Sequence, residues 1–191
     1  MPKIEIHKTE NSFVADKFAG KIKIEDALSY YTFVKGGRIQ RIMHKLKYNN
    51  LPDLGVHLGN KFGVLLNQHG YQEKYDLIIP IPLHKIRLRM RGYNQSEKIA
   101  QGFSEAMALP MNDKVVKRIV KTNTQTNKSR LGRWKNVTKI FEIMDRKLVE
   151  NKRILLVDDV VTTGATLESC AQELLDAGAQ YVGIAVVAAA K

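Results

Sequence analysis

Two consecutive carboxylates, Asp158 and Asp159, stand between an apolar run and a short segment rich in threonine. The apolar run, residues 154–157, predicts a buried parallel strand, and ligands of parallel sheets bind beyond the carboxyl ends of the strands. The threonine-rich segment, residues 162–166, offers hydroxyl groups and, at Gly164, a residue that is free to adopt positive φ. Because a helix pattern follows, backbone N–H groups of this segment can bind an anion. A diol-binding acidic pair beside a phosphate-binding turn predicts a sugar phosphate ligand.

A second unit of strand, loop and helix precedes this one in the chain. Residues 77–79 predict a buried strand, which Pro80 and Pro82 should end because proline donates no hydrogen bond. Residues 84–91 are densely basic and predict a positively charged loop, and Ser96 is the expected cap of the next helix. The alternative is that these basic residues form only a solvated turn.

The rest of the pattern predicts an α/β domain whose mainly parallel sheet is flanked by helices. Further strands are expected at residues 27–34, 115–120, 140–143 and 181–190, and amphipathic helices are expected to begin near Arg38 and Pro52. Residues 121–139 are polar, basic and without periodicity, which is typical of a functional lid or a disordered segment. We expect residues 1–70 to form an irregular lead-in and a small hood, and residues 71–191 to form the core of a single domain.

Composition narrows the class of protein. The 191 residues suffice for one packed domain, and 44% of them are hydrophobic, which is ordinary for a soluble globular protein. No apolar run approaches the ~20 residues of a membrane span, and the charged first ten residues do not form a signal segment. A cytoplasmic location is therefore expected. Cys170 is the only cysteine, so an internal disulfide and a cysteine zinc cage are excluded, and a core position is expected for it.

The formal net charge of +12 is spread over several basic clusters and does not reside in one tail. Such a surface favours polyanionic partners, either polyphosphate ligands or nucleic acid. The alternative for any single cluster is a merely solvated basic surface.

Common nucleotide-binding motifs do not account for the acidic pair. The chain contains neither G-x-x-x-x-G-K-[ST] nor G-x-G-x-x-G. The absence of these motifs excludes P-loop enzymes and dinucleotide-binding enzymes as classes for this protein. The string ILLVDD is similar to the first strand of response-regulator receiver domains. That fold needs a later strand bearing a phosphoacceptor aspartate, whereas the only aspartate after Asp159 is Asp176, within a helix pattern.

The string LLVDDVVTTGAT, residues 155–166, closely resembles the phosphoribosyl pyrophosphate signature of type I phosphoribosyltransferases. The strings YDLIIPIPLHKIRLRMRGYNQSE, RLGRWKNV and HKLKY resemble blocks of the ComF family, the competence-associated and amidophosphoribosyltransferase-like proteins. Together the resemblance covers roughly residues 27–191. It implies a type I phosphoribosyltransferase fold that binds phosphoribosyl pyrophosphate with Mg²⁺.

The resemblance also implies roles for individual residues. Asp158 and Asp159 would bind the ribose hydroxyls and help to hold magnesium, as catalytic and metal-binding residues. The 5-phosphate would be bound by Thr162, Thr163, Gly164, Ala165 and Thr166. The pyrophosphate loop would comprise Ile81, Pro82, Leu83, His84 and Lys85. A flexible loop that closes over the site would carry Lys128, Arg130 and Arg133.

Two departures from the family pattern leave the function open between two classes. Family members usually begin with a four-cysteine zinc module, which this sequence lacks. Thr162 stands where some relatives have an acidic general base, and threonine is a poor base. The chain is therefore expected to be either a phosphoribosyltransferase acting on an unknown nitrogen acceptor or a non-catalytic competence factor. In the second case its partners would be phosphoribosyl pyrophosphate, single-stranded DNA or other competence proteins.

Overall fold

A computed structural model describes residues 12–120 and 139–191. In chain order its strands are β1 (Ala27–Phe33), β2 (Leu77–Pro80), β3 (Val116–Arg118), β4 (Phe141–Ile143), β5 (Arg153–Val161) and β6 (Tyr181–Ala190). Its α-helices are α1 (Ser12–Ala15), α2 (Arg38–Tyr48), α3 (Pro52–Gln68), α4 (Lys85–Arg91), α5 (Gln95–Met107) and α6 (Ala165–Asp176). Two short 3₁₀ turns, Tyr71–Glu73 and Arg146–Leu148, precede β2 and β5.

Four parallel strands form the main sheet in the order β1-β6-β5-β2. β5 and β6 lie at its centre, which explains their unbroken apolar runs, because a parallel strand covered on both faces needs apolar residues on both. One face is covered by α2, α3 and α5, and the other by α6, the β3–β4 pair and the N-terminal segment. The predicted α/β fold with a mainly parallel sheet is confirmed.

The region expected to form a hood contributes to this sheet. β1 is the edge strand and pairs with β6 from Ala27 to Phe33, while α2 and α3 pack on the same face as α5. The boundary placed at residue 70 stays a prediction. None of the helices within residues 12–120 and 139–191 combines the length and the apolar character that a membrane crossing requires.

Helices α3 and α5 approach each other so closely that glycines of each helix contact the backbone of the other. A Cβ at Gly59 would lie 1.9 Å from the carbonyl oxygen of Ile99, and one at Gly102 would lie 2.1 Å from that of Val56. Only glycine fits at such contacts. This contact fixes the position of α5, whose N-terminus points at the carboxyl end of β5.

Three local predictions are wrong. Ser96 does not cap α5, because Asn94 is the N-cap and its side chain accepts a hydrogen bond from the N–H of Ser96. The expected basic loop is a seven-residue helix, α4, with His84 as its N-cap. The lead-in is not wholly irregular, since α1 lies within it and Phe18 is fully buried.

An ion pair joins the beginnings of β2 and β5. Arg153 donates to Asp76 from its backbone N–H (2.9 Å), its Nε (3.0 Å) and its Nη2 (2.7 Å). The side-chain hydrogen bonds from Arg153 lower the pKa of Asp76 to about 2. A carboxyl whose pKa is lowered by folding stabilises the fold above its unfolded pKa of about 4 and loses that effect as the pH falls through 2.

Asp76→Asn is therefore expected to reduce the free energy of unfolding by about 1 kcal/mol at pH 7, since both side chains are about one third exposed and solvent screens the pair. The difference from the unmodified protein should shrink between pH 4 and pH 2. Thermal unfolding over pH 2–7 measures it, with the exposed Asp113→Asn as the matched control. A difference that stays constant with pH would contradict the assignment.

Candidate functional site

The acidic pair lies inside β5. The sequence had suggested a position at the end of this strand. β5 pairs with β2 only as far as Val157, opposite Pro80, whereas its pairing with β6 continues to Val161. The last four residues of β5 therefore extend past its neighbour on one side. Asp158 and Asp159 are the first two residues of this extension, and their side chains contact the N-terminus of α5 and the end of α2.

Asp158 is held by the N-terminus of α5. Its Oδ1 accepts a hydrogen bond from Oγ of Ser96 at 2.6 Å and another from the N–H of Asp159 at 2.8 Å. Burial, and then the charge of Asp159, raise the pKa of Asp158 to about 6, although both hydrogen bonds act in the opposite direction. A carboxylate that is poorly solvated and repelled by its neighbour is a favourable ligand for a cation or for hydroxyl donors.

Asp159 contacts helix α2, which packs on the same face of the sheet as α5. Its Oδ2 forms an ion pair with Nζ of Lys47 at 2.8 Å, and its Oδ1 accepts from the N–H of Val160 at 2.7 Å. Asp159 is 8% exposed, which makes it one of the few buried charged residues of the described chain. Lys47 lies in the last turn of α2, so the region N-terminal to residue 70 reaches into the site.

The predicted phosphate turn is open to solvent. Thr162 and Thr163 are exposed, and Gly164 adopts φ 86°, a left-handed conformation that favours glycine. The helix begins directly after it at Ala165, so Ala165 and Thr166 belong to the first turn of α6 and not to a loop. The N–H groups of that first turn have no partner inside the helix, and the macrodipole favours an anion there.

The N-terminal segment supports this turn from below. A Cβ at Gly164 would lie 3.0 Å from the ring of Phe18, which is fully buried. The turn is thus packed on its inner side and free on its outer side, which is the arrangement that an anion site requires.

The predicted pyrophosphate loop leaves β2 next to the acidic pair. The N–H of Ile81 donates to the carbonyl of Val157 at 2.9 Å, and the carbonyl of Ile81 accepts from Nδ2 of Asn94 at 3.0 Å. Pro82, Leu83 and His84 follow as partly exposed residues. The last predicted member, Lys85, is instead the first residue of α4.

The predicted flexible-loop residues Lys128, Arg130 and Arg133 lie outside the described residues. The strands on either side of their segment, β3 and β4, form an antiparallel pair. Arg118 in β3 is buried, with its guanidinium carbon 5.4 Å from the centroid of the Phe141 ring. Burial, and then repulsion by Arg87, lower the pKa of Arg118, while the charge of Asp158 raises it. A buried cation therefore acts electrostatically on the acidic pair.

Sequence reasoning missed the residues that hold the site together. Tyr93 donates a hydrogen bond to the carbonyl of Leu46 in α2, Asn94 holds Ile81, and Ser96 holds Asp158. These three residues belong to one short segment, residues 93–96, in which every side chain is buried. Its mostly polar composition at the beginning of α5 was the available signal. Lys47 gave no signal beyond its place in a basic helix.

Asp158 and Asp159 are the residues that would hold a magnesium ion. Magnesium usually takes one or two protein carboxylates and completes its shell with water and substrate phosphates. These carboxylates fit this pattern, because both hydrogen bonds to the Asp158 side chain end on its Oδ1 and neither involves its Oδ2. In the part of the chain that the structure describes, no cluster of three His, Cys, Asp or Glu residues could hold a metal ion alone. The pair therefore fits a metal that is shared with a phosphate ligand.

Comparison with known families agrees with this architecture. The model of the phosphoribosyl transferase domain matches residues 66–191, which include β2, β5, β6 and both predicted ligand loops. The chain therefore belongs to the phosphoribosyl transferase domain family.

Curated relatives place it more narrowly, in the ComF group of that family. Competence protein F of Haemophilus influenzae is 34% identical over 110 residues, which are 57% of this chain and 48% of the relative. The DNA utilization protein YhgH of Salmonella typhimurium is 33% identical over 147 residues, which are 75% of this chain and 63% of the relative. The chain thus spans about half to two thirds of the length of these relatives.

A solved structure shares the fold. Glutamine phosphoribosylpyrophosphate amidotransferase from B. subtilis superposes with a TM-score of 0.51 and 23% identity, covering 74% of this chain and 30% of that chain. At this identity the similarity shows the fold alone.

Proposed function

We propose that the chain binds phosphoribosyl pyrophosphate with magnesium and transfers the phosphoribosyl group to a nitrogen acceptor. One observation carries the proposal. A single strand, turn and helix, residues 153–176, joins an acidic pair, of which Asp159 is buried and Asp158 partly buried, to an open turn at a helix N-terminus. Carboxylates are acceptors suited to a diol, and helix N-termini are suited to phosphate, so the spacing fits a sugar phosphate.

Each part has a distinct task in this proposal. Asp158 and Asp159 accept hydrogen bonds from the two ribose hydroxyls, and the turn beginning at Thr162 binds the 5-phosphate through its N–H groups. The loop that begins at Ile81 lies beside the departing pyrophosphate. When bound, magnesium neutralises charge on the pyrophosphate as it leaves.

Displacement occurs at the anomeric carbon of the ribose. The acceptor nitrogen supplies a lone pair, the bond between the anomeric carbon and the pyrophosphate oxygen breaks, and pyrophosphate leaves with the electron pair. The positive charge that develops on the sugar ring lies near the carboxylates of Asp158 and Asp159, which stabilise it electrostatically. Thr162 is a weak base, so the acceptor has to attack through a nitrogen that already presents its lone pair.

A second candidate is a non-catalytic competence or DNA-utilization factor built on the same fold. The observation that favours it is the surface of α4, none of whose residues is buried. This helix carries four basic side chains, and its Arg91 lies 5.6 Å from the ring centroid of Tyr48, which is 64% exposed. Cations beside an exposed aromatic ring are typical of surfaces that bind single-stranded nucleic acid.

Calorimetric titration with phosphoribosyl pyrophosphate and Mg²⁺, followed by pyrophosphate release over a panel of amines and bases, tests the two candidates. The transferase proposal expects micromolar binding and release with at least one acceptor. Binding without release by any acceptor would contradict the transferase and favour the non-catalytic factor. For that factor, the affinity for a labelled single-stranded oligonucleotide should fall steeply as salt is raised, and an affinity independent of salt would contradict it.

A further inference from the structure

The ion pair between Lys47 and Asp159 has a second consequence, which rests on the ligand site proposed above. We propose that Lys47 is an internal counter-ion that occupies part of the cation site and leaves Asp159 when a divalent cation binds.

The burial of this ion pair distinguishes it from an ordinary surface contact. The Asp159 side chain is only 11% exposed and that of Lys47 is 27% exposed, and the distance between the charged atoms is 2.8 Å. Exposed lysine pairs are screened by water and exchange partners freely. Here Lys47 forms an ion pair with a carboxylate that is almost sealed from solvent.

The backbone of α2 is fixed so that Lys47 can reach the site. The carbonyl of Leu46 accepts a hydrogen bond from the buried Tyr93 hydroxyl, and the ring of Tyr48 lies under the guanidinium of Arg91. The residues on both sides of Lys47 are therefore attached to the segment that carries Ser96, the residue that holds Asp158. One scaffold positions both carboxylates and the lysine.

Electrostatics explains why the lysine is there and why it should leave. Two consecutive carboxylates repel each other, and Lys47 offsets that repulsion in the absence of a cation. A divalent ion carries twice the charge and can contact both carboxylates, which the single ammonium of Lys47 does not do. Lys47 occupies Oδ2 of Asp159, so a cation that used this oxygen would compete with the lysine.

Lys47→Met keeps the aliphatic stem and removes the charge, and Lys45→Met is the matched control, an exposed lysine two residues away on the same helix. Without a phosphate ligand the two carboxylates should hold Mn²⁺ only weakly. Titration with Mn²⁺ alone, followed by its electron paramagnetic resonance signal, is expected to show binding about five-fold tighter in Lys47→Met than in the unmodified protein and unchanged in Lys45→Met. Unchanged or weaker binding in Lys47→Met, or no binding in any form, would overturn the proposal. Thermal unfolding verifies that both variants are folded.

A second measurement follows the lysine in the unmodified protein. The rate of acetylation of Lys47, measured by mass spectrometry, should rise when Mg²⁺ is added, while the rate at Lys45 stays constant. An acetylation rate at Lys47 that does not respond to the ion would overturn the proposal even if the variant binds Mn²⁺ more tightly.

These two measurements test the role of Lys47 separately from the proposed binding of phosphoribosyl pyrophosphate. Tighter Mn²⁺ binding by Lys47→Met together with no binding of phosphoribosyl pyrophosphate would support the counter-ion and refute the proposed function. Binding of phosphoribosyl pyrophosphate with no effect at Lys47 would do the reverse.

Discussion

Replacing Asp158 and Asp159 together by asparagine is expected to weaken the binding of phosphoribosyl pyrophosphate and Mg²⁺ by at least about 100-fold, because each charged hydrogen bond contributes about 1.5–3 kcal/mol. The asparagine side chains keep one oxygen acceptor each but lose the charge that a cation requires. Isothermal titration calorimetry at a fixed Mg²⁺ concentration measures the loss.

The same double variant should remain about as stable as the unmodified protein, because relief of the buried charge of Asp158 offsets the loss of the ion pair between Lys47 and Asp159. Burial and the charge of Asp159 disfavour the charged form of Asp158 in the folded protein, and the raised pKa of Asp158 expresses that effect. Loss of binding at an unchanged melting temperature would show that the substitutions remove ligand-binding groups and leave the fold intact.

The matched control is Asp113→Asn with Glu142→Gln, which removes two exposed negative charges away from β5. It should bind the ligand as the unmodified protein does. Retained binding in the Asp158 and Asp159 variant would show that the site has been placed wrongly.

The second large effect concerns stability. Gly59→Ala is expected to lower the free energy of unfolding by about 3 kcal/mol, because the new Cβ would meet the carbonyl oxygen of Ile99 at 1.9 Å and two helices would have to separate. Alanine is the better helix former by about 1 kcal/mol, so the steric conflict has to overcome that gain. Thermal and urea unfolding should both record the loss, with a melting temperature lower by about 6–12 °C.

Val64→Ala is the control in the same helix, since Val64 is exposed and its truncation removes no buried contact. It should leave stability unchanged or slightly raised. Because α5 also carries Ser96 at its N-terminus, Gly59→Ala should weaken ligand binding as well. Unchanged stability in Gly59→Ala would mean that α3 and α5 are not in backbone contact.

The local structure around the acidic pair could be predicted because its residues are neighbours in the chain. The apolar residues 154–157, the acidic pair and the Thr/Gly segment follow one another, so local patterns alone indicated a strand, a turn and a helix. The continuation of β5 past Asp159 could not be predicted, because it depends on β6 being longer than β2. The number of residues over which two strands pair depends on both strands, so the sequence of β5 alone does not determine it.

The supporting residues could not be predicted for a related reason. Ser96 and Asp158 are 62 positions apart in the chain, and only the packing of α3 against α5 brings them together. The error over Ser96 illustrates this limit, since a serine before a helix pattern is a good cap by local rules and here serves a distant carboxylate. The small residues Gly55, Gly59 and Gly63, spaced four apart, were a signal for close helix packing that hydrophobic periodicity does not record.

The backbone hydrogen bonds to the two aspartates limit which substitutions these positions can accept during evolution. The N–H groups of Asp159 and Val160 donate to the carboxylates of the preceding residues, so each aspartate serves the backbone as well as any ligand. A lineage that abandoned the ligand would still need an oxygen acceptor at both positions, since an unsatisfied buried N–H is destabilising. Neutral drift should therefore lead to asparagine or serine before it leads to alanine or valine. A pair of oxygen acceptors at these positions can outlast the activity in this way, so such a pair in a relative indicates descent more firmly than it indicates catalysis.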